Sequence, residues 1–274
     1  MNKTALISGA ARGIGQAIAA ELARCGVRII GVDLRVEDLR DTSDLVKNLG
    51  CEFTSLACDV ADEHAIRKMM TALSQSGGFD ILINNAGVLP SGPFAEGDFS
   101  AWRKVVGVNV IGLMAMTHAA LPILKSRGAA HVVNMASVAG KFGTEGVAAY
   151  GASKHGVVGF SSALRFELAE INIGVSWICP SMVSTQMAAG VPSNFFTPLM
   201  QPGDVAKAVR RAIETNAAEV YVPRRMRFLV SIMPSLLPGF SRWLSWHGKA
   251  SRGWLAAKKK ITDAENGLQM QNPT

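Results

Sequence analysis

The chain has 274 residues, 49% of them hydrophobic and 27 of them glycine, which suits one large domain with a sizeable core. Its formal net charge of +7 is concentrated at one end: residues 1–223 hold 19 basic and 19 acidic side chains, and residues 224–274 hold nine and two, which excludes a generally basic nucleic-acid-binding surface. The four cysteines, Cys25, Cys51, Cys58 and Cys179, form no C-x-x-C pair and no zinc-spaced cluster with histidine, so no metal site is expected and the composition fits a reducing, cytoplasmic compartment.

In chain order, the apolar run TALISG (4–9) predicts a first buried strand. It begins within a few residues of the N-terminus, with no charged stretch followed by an apolar one, so no secretory leader is expected. No uninterrupted apolar run has the length of a membrane span. SGAARGIG (8–15) follows and opens a helix over 13–25. Its glycines let the main chain turn tightly and approach a pyrophosphate, and the helix start offers free N–H groups and a positive dipole end. RIIGVD (28–33) is the second strand, and Asp33 ends it. That carboxylate either accepts from an adenosine ribose 2′-hydroxyl, which favours NAD over NADP, or serves as a turn aspartate. Arg12 and Arg35 are the counterweights able to reach a 2′-phosphate. A helix over 36–48 leads to EFTSLACD (52–59), which carries Asp59 towards the adenine side. A helix over 62–76 leads to DILINNAG (80–87), whose NNAG ends in a close-approach turn. A long helix over 100–127, AHVVNMAS (130–137), a helix over 150–172, GVSWICP (174–180), a helix over 203–216 and EVYVP (219–223) complete the series. Strand-helix alternation with short loops predicts an α/β single-domain Rossmann fold: a doubly wound parallel sheet of about seven strands with helices on both faces. It spans 1–223, and the composition shifts there to a basic, apolar extension, 224–274.

Tyr150, one of only two tyrosines, stands in AAYGASKHG (148–156) with Lys154 four positions on. On a helix the two share a face, and an ammonium beside a phenol favours the phenolate. Taken alone, the pair reads first as a packed tyrosine and a solvated lysine. His64, His118, His131 and His247 have no metal-like partners and read as structural or surface residues.

SGAARGIG, NNAG, Asn109 in NVIG, Ser137 in NMASVAG and YGASK occur in that order along one α/β domain. Together they resemble the short-chain dehydrogenase/reductase superfamily over roughly residues 3–223. The resemblance implies that Tyr150 exchanges a proton with the substrate oxygen, and that Lys154 lowers its pKa and holds the nicotinamide ribose. It implies that Ser137 hydrogen-bonds the substrate oxygen and that Asn109 positions a water linking Lys154 to solvent. The small residues around Tyr150 would let cofactor and substrate approach. Cofactor contacts are implied for Gly9, Arg12, Gly13, Ile14, Gly15, Asp33, Asp59, Val60, Asn85, Ala86, Gly87, Tyr150, Lys154, Pro180, Val183 and Thr185. Two positions depart from the pattern: Ser8 replaces a threonine, and Ser181 replaces a glycine after Pro180.

Family pockets form from the loops after strands four to six, with a lid over about 183–203. Here the implied substrate contacts are Val88, Leu89, Phe94, Ser137, Lys141, Phe142, Val147, Met187, Phe195 and Phe196. An aromatic- and Met-rich lid suits a bulky apolar alcohol or ketone, steroid-, retinoid- or lipid-like; Phe195 and Phe196 equally suit packing the lid down. Family members are commonly dimers or tetramers through helices 100–127 and 150–172, so a homodimer at least is expected, or a homotetramer. Residues 224–260 combine nine basic residues, no acid and three of the five tryptophans. That composition fits either a segment lying on an anionic membrane surface, placing the protein peripherally on the inner membrane face, or a packed cover over the pocket or an oligomer contact. The resemblance implies an NAD(P)-dependent oxidoreductase, with NAD favoured by Asp33 and NADP possible. The alternative is an idle dinucleotide-sensing or membrane-surface binding protein on the same fold.

Overall fold

The computed structural model describes residues 3–191, 198–237, 239 and 254. Seven strands form one parallel sheet: β1 (Thr4–Ser8), β2 (Arg28–Asp33), β3 (Phe53–Ala57), β4 (Ile81–Asn84), β5 (Ala130–Met135), β6 (Ile173–Pro180) and β7 (Glu219–Val222). Their order is β3-β2-β1-β4-β5-β6-β7. The direction of growth reverses beside β1, between β1 and β4, which opens a crevice above their carboxyl ends. The expected strands ran up to three residues further, because Gly9, Asn85–Gly87 and Cys58–Asp59 leave the sheet to form the rim of that crevice.

The strands read as continuous apolar runs because both faces are covered. Along β1, Ala5 and Ile7 face one core and Leu6 the other, with the period of two that a strand imposes. The first core is closed by α1 (Gly13–Ala23), α2 (Arg40–Asn48) and α7 (Pro202–Thr215), through Ile18, Leu22, Val46, Val205 and Val209. The second is closed by α3 (Glu63–Gln75), α5 (Leu113–Lys125) and α6 (Ala148–Ala169), through Ile66, Met70, Met116, Ala120 and Leu164. Fully burying one such side chain contributes about 1.5–3 kcal/mol. Gly31 is required by packing: its Cβ would fall 2.3 Å from the Phe53 ring. α3 starts at Asp62, whose Oδ1 accepts from the N–H groups of His64 and Ala65. α7 starts with a Gln201–Asp204 capping box and Pro202 in its first turn.

The expected long helix is interrupted. α4 (Phe99–Val106) runs into a π-helical turn, Gly107–Gly112, before α5. The run Phe99–Lys125 is apolar enough and long enough to cross a membrane by length and composition alone. Its inner face packs on the sheet, and Gly112 lies so close to the loop after β3 that a Cβ would meet the Val60 carbonyl oxygen at 2.4 Å.

Beyond β7 the chain continues through a second π-helical turn, Phe228–Ile232, into α8 (Met233–Leu236). Met226 and Val230 are buried in a cluster with Val138, Trp177, Cys179 and Tyr221, and Phe142 packs against it. The extension thus begins by packing on the β6–β7 edge.

Candidate active site

A cleft of about 970 Å³ lies over the carboxyl ends of β1, β2, β4, β5 and β6. Its nucleotide end is shaped by main chain. Gly9 and Gly13 have φ of +66° and +60°, a region open to glycine. A Cβ on Gly9 would fall 2.9 Å from Ala86 Cα, and one on Gly15 only 2.0 Å from the Gly9 carbonyl oxygen. α1 starts at Arg12 with no side-chain cap, so its first N–H groups remain for a ligand.

Short side chains hold this loop. Ser8 Oγ accepts from the N–H groups of Asn85 and Ala86, both at 3.1 Å, so serine does the work of the usual hydroxyl. Asn85 Nδ2 donates to the carbonyls of Ser8 and Gly9. Thr42, fully buried on α2, donates to Ala10 O at 2.9 Å. Thr42 was not anticipated, since a threonine in a polar helix carries no local signal. Asp33 Oδ2 accepts from Ala11 N at 3.0 Å and Oδ1 from Leu34 N at 2.9 Å. Asp33 therefore ties the glycine loop to β2 while it faces the cleft. Asp59 also lines the cleft, its Oδ1 accepting from Ala61 N.

Gly9, Arg12, Gly13, Ile14, Asp33, Asp59, Val60, Asn85, Ala86, Gly87, Tyr150, Lys154, Pro180, Val183 and Thr185 all line this one cleft. Gly15 stands one layer back, where it lets the loop and helix meet. A glycine cradle that any Cβ would fill, an uncapped helix start and an acid at the end of β2 fit a dinucleotide. Ser181 Oγ, at the departure from the family pattern, is buried with no hydrogen-bond partner among the described residues.

At the other end the chemistry comes from β5 and α6. Ser137 precedes a short 3₁₀ turn, Val138–Gly140, and its Oγ accepts from Ala139 N. A Cβ on Gly140 would meet the Lys154 carbonyl oxygen at 2.6 Å, so the turn presses directly on α6. A Cβ on Gly151 would make only an ordinary contact, 3.5 Å from Ala139 O. Tyr150, Ser137 and Lys154 line the cleft together.

The expected lowering of the Tyr150 pKa is not found. Burial pushes the phenol up to about 12, against the opposing hydrogen bond from Ser137. Burial also pushes the Lys154 ammonium down to about 8. Lys154 Nζ donates to Met135 O at 2.7 Å, and it lies 5.7 Å from the centre of the Tyr150 ring. Desolvation outweighs an ammonium that is turned to a carbonyl.

Asn109, in the π-helical turn, is buried behind the cleft with its amide committed. Oδ1 accepts from Val88 N at 2.8 Å, and Nδ2 donates to Val88 O and Ser153 Oγ, both at 3.0 Å. Its side chain braces the loop after β4.

Of the substrate residues, Val88, Leu89, Phe142, Val147 and Met187 line the cleft. Lys141 does not: Nζ pairs with Glu219 Oε1 at 2.7 Å, because a carboxylate on the edge strand is a better partner than an apolar cavity. Phe94 does not either: it stacks on Trp102 with ring centres 4.4 Å apart, outside the cleft. Phe195 and Phe196 lie outside the described residues. Arg103, Lys104, Thr144, Gln186 and, from the extension, Trp254 also line the cleft. Arg103 and Lys104 follow no motif and so carry no local signal.

Fold and cleft together define a dinucleotide-binding α/β protein of the Rossmann type. The short chain dehydrogenase family matches residues 3–194, and the chain belongs to the short-chain dehydrogenase/reductase family of oxidoreductases. It is 38% identical over 197 residues to a putative ketoacyl reductase of Streptomyces coelicolor, covering 71% of this chain and 76% of that one. Among solved structures, a variant of the actinorhodin polyketide ketoreductase with NADPH is 33% identical with a TM-score of 0.74, covering 81% of this chain and 95% of the other. Carveol dehydrogenase of Mycobacterium avium in complex with NAD is 27% identical with a TM-score of 0.73, covering 80% and 95%.

Proposed function

We propose that the protein is an NAD(H)-dependent oxidoreductase that interconverts a hydrophobic secondary alcohol and its ketone, steroid-, retinoid- or lipid-like. The observation that carries this reading is that Ser137, Tyr150 and Lys154 open into the same cleft as the glycine cradle, beside an apolar wall of Val88, Leu89, Phe142, Val147 and Met187. Relatives named for ketoacyl and carveol chemistry support a carbonyl-alcohol pair. Residues 1–223 form the catalytic domain, about 183–203 the substrate lid, and 224–274 the extension.

When bound, the dinucleotide supplies or accepts the hydride at the substrate carbon. The chain supplies the rest. The glycine loop and the uncapped start of α1 would hold the pyrophosphate, and Asp33 would accept from the ribose hydroxyls. Ser137 Oγ donates to the substrate oxygen. Tyr150 Oη, kept protonated by burial, donates its proton to that oxygen as the carbon is reduced. Lys154 holds a positive charge beside the phenol, which eases the loss of that proton. A dinucleotide sensor would have no use for this proton donor.

A panel of apolar and polar ketones with NADH and NADPH, followed at the nicotinamide absorbance, tests the reading. NADH-dependent reduction of apolar ketones is expected; no turnover of any ketone overturns it. Asp33→Ala is expected to shift the NAD:NADP preference about tenfold towards NADP, and an unchanged ratio removes that role.

In solution we propose a dimer at least. Val106, Ile111 and Met114 on the long helix and Phe166 on α6 are exposed, and a second copy would cover them. A light-scattering mass of one chain refutes this. A cytoplasmic protein touching an anionic inner-membrane face is favoured by Phe228, Ile232 and Leu236, exposed at four-residue spacing beside Arg224 and Arg227. Failure to sediment with anionic vesicles removes it.

A further inference from the structure

Five residues beyond Asp33, outside the cleft wall at its nucleotide end, stands a further acid. Asp38 sits in the 3₁₀ turn Val36–Leu39. Its carboxylate takes Arg35 at two points: Nε donates to Oδ2 at 3.0 Å and Nη2 to Oδ1 at 2.8 Å. The turn is anchored on its inner side. Leu39 is fully buried, and Thr42 is hydrogen-bonded to the carbonyls of Ala10 and Ala11. Asp38 therefore stands on a segment clamped to the glycine cradle. The consequence is visible in the cleft wall, where Asp33 and Leu34 take part and Arg35 does not. The Asp38 carboxylate is held below its usual range chiefly by Arg35, with a smaller contribution from Arg12, which lines the cleft.

We propose that Asp38 is a positioning residue for cofactor choice: by holding Arg35 at two points it withdraws a guanidinium that would otherwise receive the 2′-phosphate of NADP. This rests on the NAD reading above and deepens it. Both oxygens of Asp33 already accept main-chain N–H groups. That partly satisfies the acid that would repel the phosphate, so a second device has a purpose. The pairing is suited to holding. Two parallel charge-assisted bonds fix the guanidinium plane, and a short aspartate on an anchored turn loses little freedom in making them. Exposed ion pairs are weak, so releasing Arg35 changes binding by a factor of roughly three to ten rather than by orders of magnitude.

Calorimetric titration of NAD⁺ and NADP⁺ into the wild-type protein, Asp38→Asn, Asp38→Glu, Arg35→Ala and the double variant Arg35→Ala/Asp38→Asn provides the test. Asp38→Asn is expected to tighten NADP⁺ roughly three- to tenfold and to move NAD⁺ less than about twofold. Asp38→Glu keeps the pair and is expected to bind like wild type. Arg35→Ala alone is expected to leave NADP⁺ binding unchanged, because the held guanidinium contributes nothing to it, and in the double variant the gain disappears. The proposal is overturned if Asp38→Asn leaves NADP⁺ unchanged, if it tightens both dinucleotides equally, or if the gain survives without Arg35. Should Asp38→Asn fail to fold, a loss of NADP⁺ affinity in Arg35→Ala overturns it alone. Wild-type protein that prefers NADP⁺ refutes the NAD reading instead, and that outcome is read from a separate ratio.

Discussion

On the β1–β2 side of the cleft the shape is carried by main chain, whereas on the β4–β6 side it is carried by side chains. The nucleotide end consists of glycines at positive φ, an uncapped helix start and short side chains bonded to backbone. The reaction end consists of long or ionisable side chains, and several turn where burial and charge send them. Lys141 turns to Glu219, Lys154 to the Met135 carbonyl and Phe94 to Trp102. A backbone-built site is fixed as soon as the chain folds. A side-chain-built site is fixed only by what each group can pair with, and it is there that substitution should change chemistry without changing shape.

The largest expected effect follows from that asymmetry. Tyr150→Phe removes one oxygen and no packing, so turnover should fall about 10³-fold while dinucleotide affinity stays within about twofold. Absorbance assays and calorimetry measured on the same sample separate the two. A variant that lost cofactor affinity along with turnover would mean that Tyr150 shapes the nucleotide end as well, and the division would fail.

The next effect reads the electrostatics of the reaction end. Lys154 has its pKa brought down to about 8 by burial, so it is charged below that pH and neutral above it. With Tyr150 protonated throughout this range, kcat/KM for reduction should be flat below about pH 8 and then fall towards tenfold per unit. Lys154→Arg stays charged and should move that limb upward. A limb at the same pH in both proteins would assign it to another group.

Gly15→Ala probes the opposite end. The new Cβ would meet the Gly9 carbonyl oxygen at 2.0 Å and Asn85 Nδ2 at 2.7 Å, and the first of these is main chain that cannot swing away. A cost of about 1–3 kcal/mol should lower Tm by about 2–10 °C and weaken dinucleotide binding by roughly tenfold. Gly203→Ala, where no atom lies within 4 Å of the new Cβ, should change neither.

The same asymmetry explains what could be read before the structure. SGAARGIG, NNAG and the strand-helix alternation encode backbone geometry, and local residue choice determines that directly. All seven strands and the six long helical stretches fall where the pattern places them. The π-helical turn around Asn109 does not follow from the pattern, because an apolar period of 3.6 cannot register one inserted residue. The partners of Lys141, Lys154 and Asn109 lie 78, 19 and 21 positions away. Nothing local to those residues marks a glutamate on the edge strand or a free carbonyl at the end of β5. Thr42 was illegible for the same reason, its carbonyl partners lying 32 and 31 positions away. Asp38 pairs locally, with the arginine three positions before it, but an exposed pair of that spacing carries no mark of a role at the cleft.

The smallest predicted effect is the most pointed, because it sets the two ways of reading a side chain against each other. As a substrate ligand, Lys141 would lose its contact in Lys141→Ala, and KM for the ketone would rise by tenfold or more. As half of a partly buried ion pair, it leaves Glu219 with the Trp177 Nε1 donor at 2.9 Å and a slacker turn at 138–140. The two side chains are 23% and 24% exposed, so solvent screens the pair and the loss should be near 1 kcal/mol, lowering Tm by about 2–4 °C. KM should stay within about twofold. kcat should fall only as far as the slacker turn lets Ser137 drift, a few-fold at most on the general scale of misplaced catalytic groups. Restoring Tm with Lys141→Arg while KM remains flat would complete the case. The ion pair would then be what keeps the edge strand pressed against the loop that carries the reacting serine.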